Sequence, residues 1–107
     1  MHIQIINFNL KDLSEEDYQA ACEEQFALAF ADVPGLISKV WLANSETNTY
    51  GGVYTWRDRQ AMVEFTKSGL FNAVASHLNF ANIVSTDFGV LEAATEVTRG
   101  LVEAPAR

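Results

Sequence analysis

The chain has 107 residues, 49% of them hydrophobic, and a formal charge of −7. That size gives one domain, 1–107, whose core needs neither disulfide nor metal, with about 1–99 ordered and 100–107 expected as a tail. The single cysteine, Cys22, excludes a disulfide framework and a clustered-cysteine metal site. The bases Lys11, Lys39, Arg57, Arg59, Lys67, Arg99 and Arg107 are scattered, which argues against nucleic acid as a partner, since phosphate binding needs a basic stripe.

The N-terminus MHIQIINFNL carries no basic region ahead of an apolar run, and no stretch reaches the roughly 20 apolar residues of a membrane helix. A soluble, cytoplasmic protein with no membrane partner is expected.

His2 to Leu10 reads as a first strand. Ile3 and Ile5 alternate with Gln4, while Ile6, Phe8 and Leu10 give the other side apolar character too. Asn7 and Asn9 fall on the Ile3 and Ile5 side, where each is either a structural anchor or a polar group aimed into a cavity. Ser14 followed by Glu15, Glu16 and Asp17 starts a helix that should run to about Asp32, with Tyr18, Cys22, Phe26, Ala29 and Val33 near one stripe. The seven acids between residues 12 and 32 read first as a solvated face and second as an anionic protein-docking surface. Cys22 reads as core packing, because neighbouring acids do nothing for a thiolate.

Pro34-Gly35 ends the helical region. Leu36 to Ala43 then forms a strand with apolar groups on both sides, Asn44 to Asn48 turns the chain, and Thr49 to Trp56 returns. This hairpin is expected in the middle of the sheet. Within it, Gly51-Gly52 marks a bulge or a place where a bulky group lies against the backbone, either a tryptophan from a neighbouring element or a ligand plane.

Asp58 caps the next helix, with Met62, Phe65 and Thr66 on one side, and Ser68-Gly69 breaks it. Phe71, Val74, Ala75 and Leu78 have the spacing of a second buried face, which puts His77 about 120° off that stripe. Asn82 to Leu91 supplies a last strand, and Glu92 to Arg99 a short helix. The order βαββαβ gives an α+β, ferredoxin-like fold: a four-stranded antiparallel sheet with the helices on one face. The other face is apolar, so a two-fold homodimer packed sheet to sheet is expected.

Pro34-Gly35, Lys39-Val40-Trp41, Gly51-Gly52 with Tyr54, and Asp87 in the last strand resemble the YdhR-type mono-oxygenase family of the dimeric α+β barrel superfamily, over about Met1 to Arg99. The resemblance implies a homodimer. It also implies an activity, assigned to the family by similarity to cofactor-independent mono-oxygenases of aromatic, polyketide-like substrates, and a pocket between sheet and helices. Asn7, Lys39, Trp41, Phe65 and Phe71 are the substrate-binding candidates, while His77, Tyr54 and Asp87 are the candidates for orienting or deprotonating the substrate. Lys39 would stabilise the substrate anion if it faces the pocket. No metal or cofactor is called for, because a deprotonated phenol or hydroquinone supplies the electrons to oxygen itself.

A haem-degrading branch of the superfamily is similar over Thr55 to Leu78 and shares Asn7, but its tryptophan falls on Phe65 and its haem-ligating histidine on Ala75. His77 lies about 200° round a helix from that position, which disfavours haem degradation. Two other functions remain open: a non-catalytic dimer that binds a hydrophobic metabolite or serves a stress response, and a structural dimer that docks through its acidic helix.

Overall fold

A computed structural model describes residues 1–101. The expected tail therefore lies, from residue 102 on, outside the described residues. Strand β1 (His2–Leu10) leads to helix α1 (Glu15–Ala21), which continues through a π-helical turn, Cys22–Phe26, into α2 (Ala27–Ala31). The hairpin β2 (Leu36–Asn44) and β3 (Thr49–Trp56) follows, then α3 (Arg59–Thr66), α4 (Gly69–Ala75), β4 (Phe80–Gly89) and α5 (Glu92–Val97). The helices start where short polar side chains accept from orphan amides: Ser14 from Asp17 N–H, Asp58 from Ala61 N–H and Ser68 from Phe71 N–H.

All four strands pair antiparallel in the order β2-β3-β1-β4. This is the ferredoxin-like βαββαβ sheet, but the hairpin is not its middle: β1 pairs with the far side of β3 and leaves β2 as an edge. The last strand begins two residues earlier than expected. Asn82 takes a positive φ of 55° at an irregularity in the β1 pairing, which lets Phe80 and Ala81 join the ladder.

Along β1, His2, Gln4, Ile6 and Phe8 are buried under the helices, and Ile3, Ile5 and Asn7 point to the opposite face. The helix-side core is mostly aromatic: Phe8, Tyr18, Phe30, Tyr50, Tyr54, Trp56, Phe65 and Phe80 are all buried. Sealing each such side chain contributes about 1.5–3 kcal/mol. Gln4 and Trp56 are wholly enclosed yet satisfied, since Trp56 Nε1 donates to Gln4 Oε1 at 3.1 Å and Gln4 Nε2 donates to Ser85 Oγ at 3.0 Å.

The opposite face stays largely open, with Val40, Val84 and Phe88 each more than half exposed. Among the described residues only its end is occupied. There Val90, Leu91 and Thr95 line a hollow together with Ile3 and Thr55, so α5 departs from the one-sided arrangement of the other helices.

The first long helix carries an unforeseen register change. Tyr18, Cys22 and Phe30 are buried and Ala29 is exposed, so the inward stripe runs in four-residue steps through Phe26 to Phe30. In a regular α-helix each such step drifts by about 40°. The wider π turn takes the drift back and aims Phe30 at the sheet. The second correction concerns the end of α4. The helix stops at Ala75, His77 sits in the following turn, and Leu78 is 91% exposed rather than part of a buried stripe.

Candidate functional site

The site is built on the edge strand. Lys39, Trp41 and Tyr54 all project from the helix side of β2 and β3, where Lys39 is in register with Tyr54 and Trp41 with Gly52. The Lys39 stem lies across Gly52, where an added Cβ would come within 2.8 Å of its Cε. The bulky group on the glycine pair is therefore a lysine from the neighbouring strand. Gly51 has a separate reason to be glycine, since its φ of 145° aims a Cβ into the Ile6 carbonyl oxygen.

From Gly52 the lysine reaches into an aromatic cage. Its Nζ is 3.4 Å from the Phe30 ring centroid, 3.5 Å from that of Trp41 and 4.6 Å from that of Tyr54. Phe30 meets Trp41 edge-on at 5.7 Å, and Tyr54 at the same distance. Phe65 closes the inner wall, 5.7 Å from both Phe30 and Tyr54, with Phe71 edge-on behind it.

Burial lowers the Lys39 ammonium to about 7, and the nearby Cys22 thiol works weakly the other way. The three ring faces also favour the charged form. Burial in turn pushes the Tyr18 and Tyr54 hydroxyls and the Cys22 thiol up, so these neighbours stay protonated. Among the described residues no acid lies within ion-pairing distance of Lys39; the ion pairs there are Met1 with Glu92, His2 with Asp87 and Arg57 with Asp58.

Space is distributed differently from expectation. Between sheet and helices, beside Lys39, Trp41 and Tyr54, the cavity is only about 20 Å³, room for one water. The larger spaces open along the β2 edge. One of about 260 Å³ is lined by Ala27, Phe30, Ala31, Leu36 to Lys39 and Trp41. A second of about 280 Å³ runs from Trp41 past Cys22 to Glu23. Lys39 and Trp41 form the partition between this groove and the inner cavity.

Residues 3–101 match the family model described as "Putative mono-oxygenase ydhR". The chain belongs to the YdhR family. No match was found among curated proteins. Three solved structures give the same fold: an MhuD mutant with two manganese protoporphyrin IX molecules bound per active site, at 16% identity and TM-score 0.66 over 85% of this chain and 95% of that one; a mutant of SnoaB, a cofactor-independent oxygenase from Streptomyces nogalater, at 18% and 0.64 over 84% and 93%; and Rv0793 from Mycobacterium tuberculosis, at 16% and 0.65 over 84% and 94%.

Of the eight residues singled out in this YdhR-family sequence, five gather here: Lys39, Trp41, Tyr54, Phe65 and Phe71. Three do not. Asn7 shares the Ile3 and Ile5 face, in register with Gly51 and Val84, and its amide donates to the Tyr50 carbonyl at 3.4 Å. Asp87 lies in the same cross-sheet row as Lys39, through Tyr54 and Gln4, but at the opposite edge. Three strand spacings, about 14 Å, separate the two backbones. There Asp87 Oδ2 pairs with His2 Nε2 at 2.7 Å.

His77 stacks on Phe80 at 4.2 Å, and its Nδ1 accepts from the Asn79 amide at 3.1 Å, which holds the ring against Phe80 at the helix end. Ala75, where the haem branch carries its ligand, is exposed. The residue missed from sequence is Phe30, hidden by the π turn. Gly52 was signalled by its glycine pair, but with a tryptophan or a ligand plane expected where Lys39 lies.

Proposed function

We propose that this chain is a cofactor-independent mono-oxygenase of small aromatic, polyketide-like substrates, which bind in the groove along β2 with one edge against the Lys39 cage. The observation that carries this reading is the Lys39 amine, held by Phe30, Trp41 and Tyr54 without a counter-ion among the described residues and bordering the groove. The aromatic walls offer stacking surfaces, and the lysine offers the one charge that favours a substrate anion over its neutral form.

Such an anion is electron-rich enough to reduce oxygen. In an anthrone-type substrate the ring CH₂ becomes C=O; one oxygen atom enters the product and the other leaves as water with the two hydrogens. The protein's part is to promote ionisation and exclude water. An inner cavity of only about 20 Å³ supports a substrate position in the groove rather than under the sheet.

The working unit in this reading is a homodimer, with the open faces around Val40, Val84 and Phe88 packed on each other. The test is oxygen uptake with a panel of quinols and anthrones. Uptake above a boiled control supports the reading, and none with any member ends it. A ligand that raises the melting temperature yet is recovered unchanged would make the protein a binding module instead.

A further inference from the structure

Resting on the groove as the substrate site, we propose that Lys39 is the base of this site: it takes the proton of a hydroxyaromatic ligand and holds the resulting anion against its own ammonium. Four observations lead there. First, Nζ has no hydrogen-bond or ion-pair partner among the described residues, only ring faces, which carry no lone pair to accept its N–H groups. Second, no wholly buried side-chain nitrogen or oxygen lacks a partner there, so the partnerless Nζ is one that solvent still touches, and Lys39 borders the groove.

Third, the titratable groups facing it are Tyr18 from α1, Cys22 from the π turn and Tyr54 from β3, all held protonated by burial; the nearest groove acids, Glu23 and Glu15, are exposed at its outer clefts. Among the described residues no acid is within ion-pairing distance of the amine. Fourth, burial leaves the amine partly unprotonated near neutral pH, so it has a lone pair free to take a proton where an ordinary lysine has none.

The step balances simply. The ligand O–H bond breaks, an N–H bond forms on Nζ, and the electron pair stays on the ligand oxygen. Two neutral groups become an ion pair without net charge entering an apolar groove, and the new ammonium lies under three π faces. A carboxylate ligand brings its charge with it and needs a lysine that is already protonated, so phenols and enols are the class that fits.

The probe is 4-cyanophenol, whose ultraviolet absorption distinguishes phenol from phenolate. It is bound to the full chain at a pH about one unit below the phenol's own pKa. Wild type is expected to show the phenolate band, with the apparent pKa of the bound ligand lowered by about one unit or more, a tenfold shift in the ratio of forms. Lys39→Met is expected to bind the same ligand as neutral phenol, and 4-methoxybenzonitrile, which has no proton to give, is expected to bind both proteins alike.

A neutral phenol on wild type, or a phenolate band that survives in Lys39→Met, overturns the base role while leaving the groove as the binding site. Failure of both ligands to bind at all overturns the groove reading as well. Should the variant not fold, isotope-labelled lysine in wild type answers the same question by NMR. Lys39 must titrate near neutrality in the free protein and become protonated as the phenol binds; a lysine that titrates in the ordinary range and ignores the ligand refutes the assignment.

Discussion

Replacing Lys39 with methionine should stabilise the protein at neutral and acidic pH. The fall of the lysine from 10.5 to about 7 is caused first by burial. At about 1.4 kcal/mol per pH unit it corresponds to a folding penalty of about 5 kcal/mol. Three ring faces return about 1–3 kcal/mol of that to the ammonium, which leaves about 2–4 kcal/mol. Methionine keeps the apolar stem across Gly52 and removes the charge.

The pH dependence has a definite sign. Below about pH 7 the folded and unfolded chains both carry the proton and the whole penalty applies. Between about pH 7 and 10.5 the folded chain releases its proton first, the unfolded chain binds more, and wild type gains stability as pH rises. Above that window both are neutral and the variant loses its advantage. Urea unfolding of both proteins at about pH 6, 8 and 10 should show Lys39→Met ahead by about 2–4 kcal/mol at the lowest pH, with the gap closing upward. A variant less stable than wild type at pH 6, or a gap that ignores pH, would show that the ammonium has a solvated or paired home, and the cage argument would fail.

Other substitutions probe the frame around the site. Gly51→Ala combines a forbidden φ with a backbone collision and should cost about 3–5 kcal/mol in urea, whereas Gly52→Ala meets the movable Lys39 stem at 2.8 Å and the Val40 carbonyl oxygen less closely at 3.2 Å and should cost about 1–2 kcal/mol; equal costs would contradict the distinction. Trp56→Phe strands the buried Gln4 Oε1 and should cost about 2–3 kcal/mol, with a loss under about 0.5 telling against that hydrogen bond. If the proposed sheet-to-sheet dimer forms, Val84→Glu with Phe88→Glu should reduce it to a monomer by sedimentation equilibrium, and an unchanged mass would rule out sheet-to-sheet association. Cys22, whose thiol is raised by burial, should react with iodoacetamide at about pH 8 roughly tenfold more slowly than free cysteine; matching rates would mean that the thiol is neither buried nor raised.

What the sequence determined by itself was everything carried by short-range period and local chemistry. Alternation in His2 to Leu10 and in the hairpin set the strands, Ser14 and Asp58 set helix starts, and Pro34-Gly35 set the turn into β2. Those elements, in that order, admit few topologies, and the family resemblance lay in the same segments.

Tertiary structure decided the rest. One π turn, invisible to a 100° wheel, exchanged Ala29 for Phe30 as the inward residue and thereby supplied a wall of the cage. Strand order placed Lys39 and Asp87 at opposite edges of one row, a separation that depends on which strands pair rather than on either residue. Alternation put Asn7 with Ile3 and Ile5, but packing decided that the helices cover the other face, that of Ile6 and Phe8. Lys39 was singled out through the family resemblance, but its surroundings were not: the missing side chain at Gly52, and rings arriving from α2, β2 and β3, draw its amine largely out of water. An environment assembled from three elements belongs to no local stretch of chain, so it is legible only once they have packed.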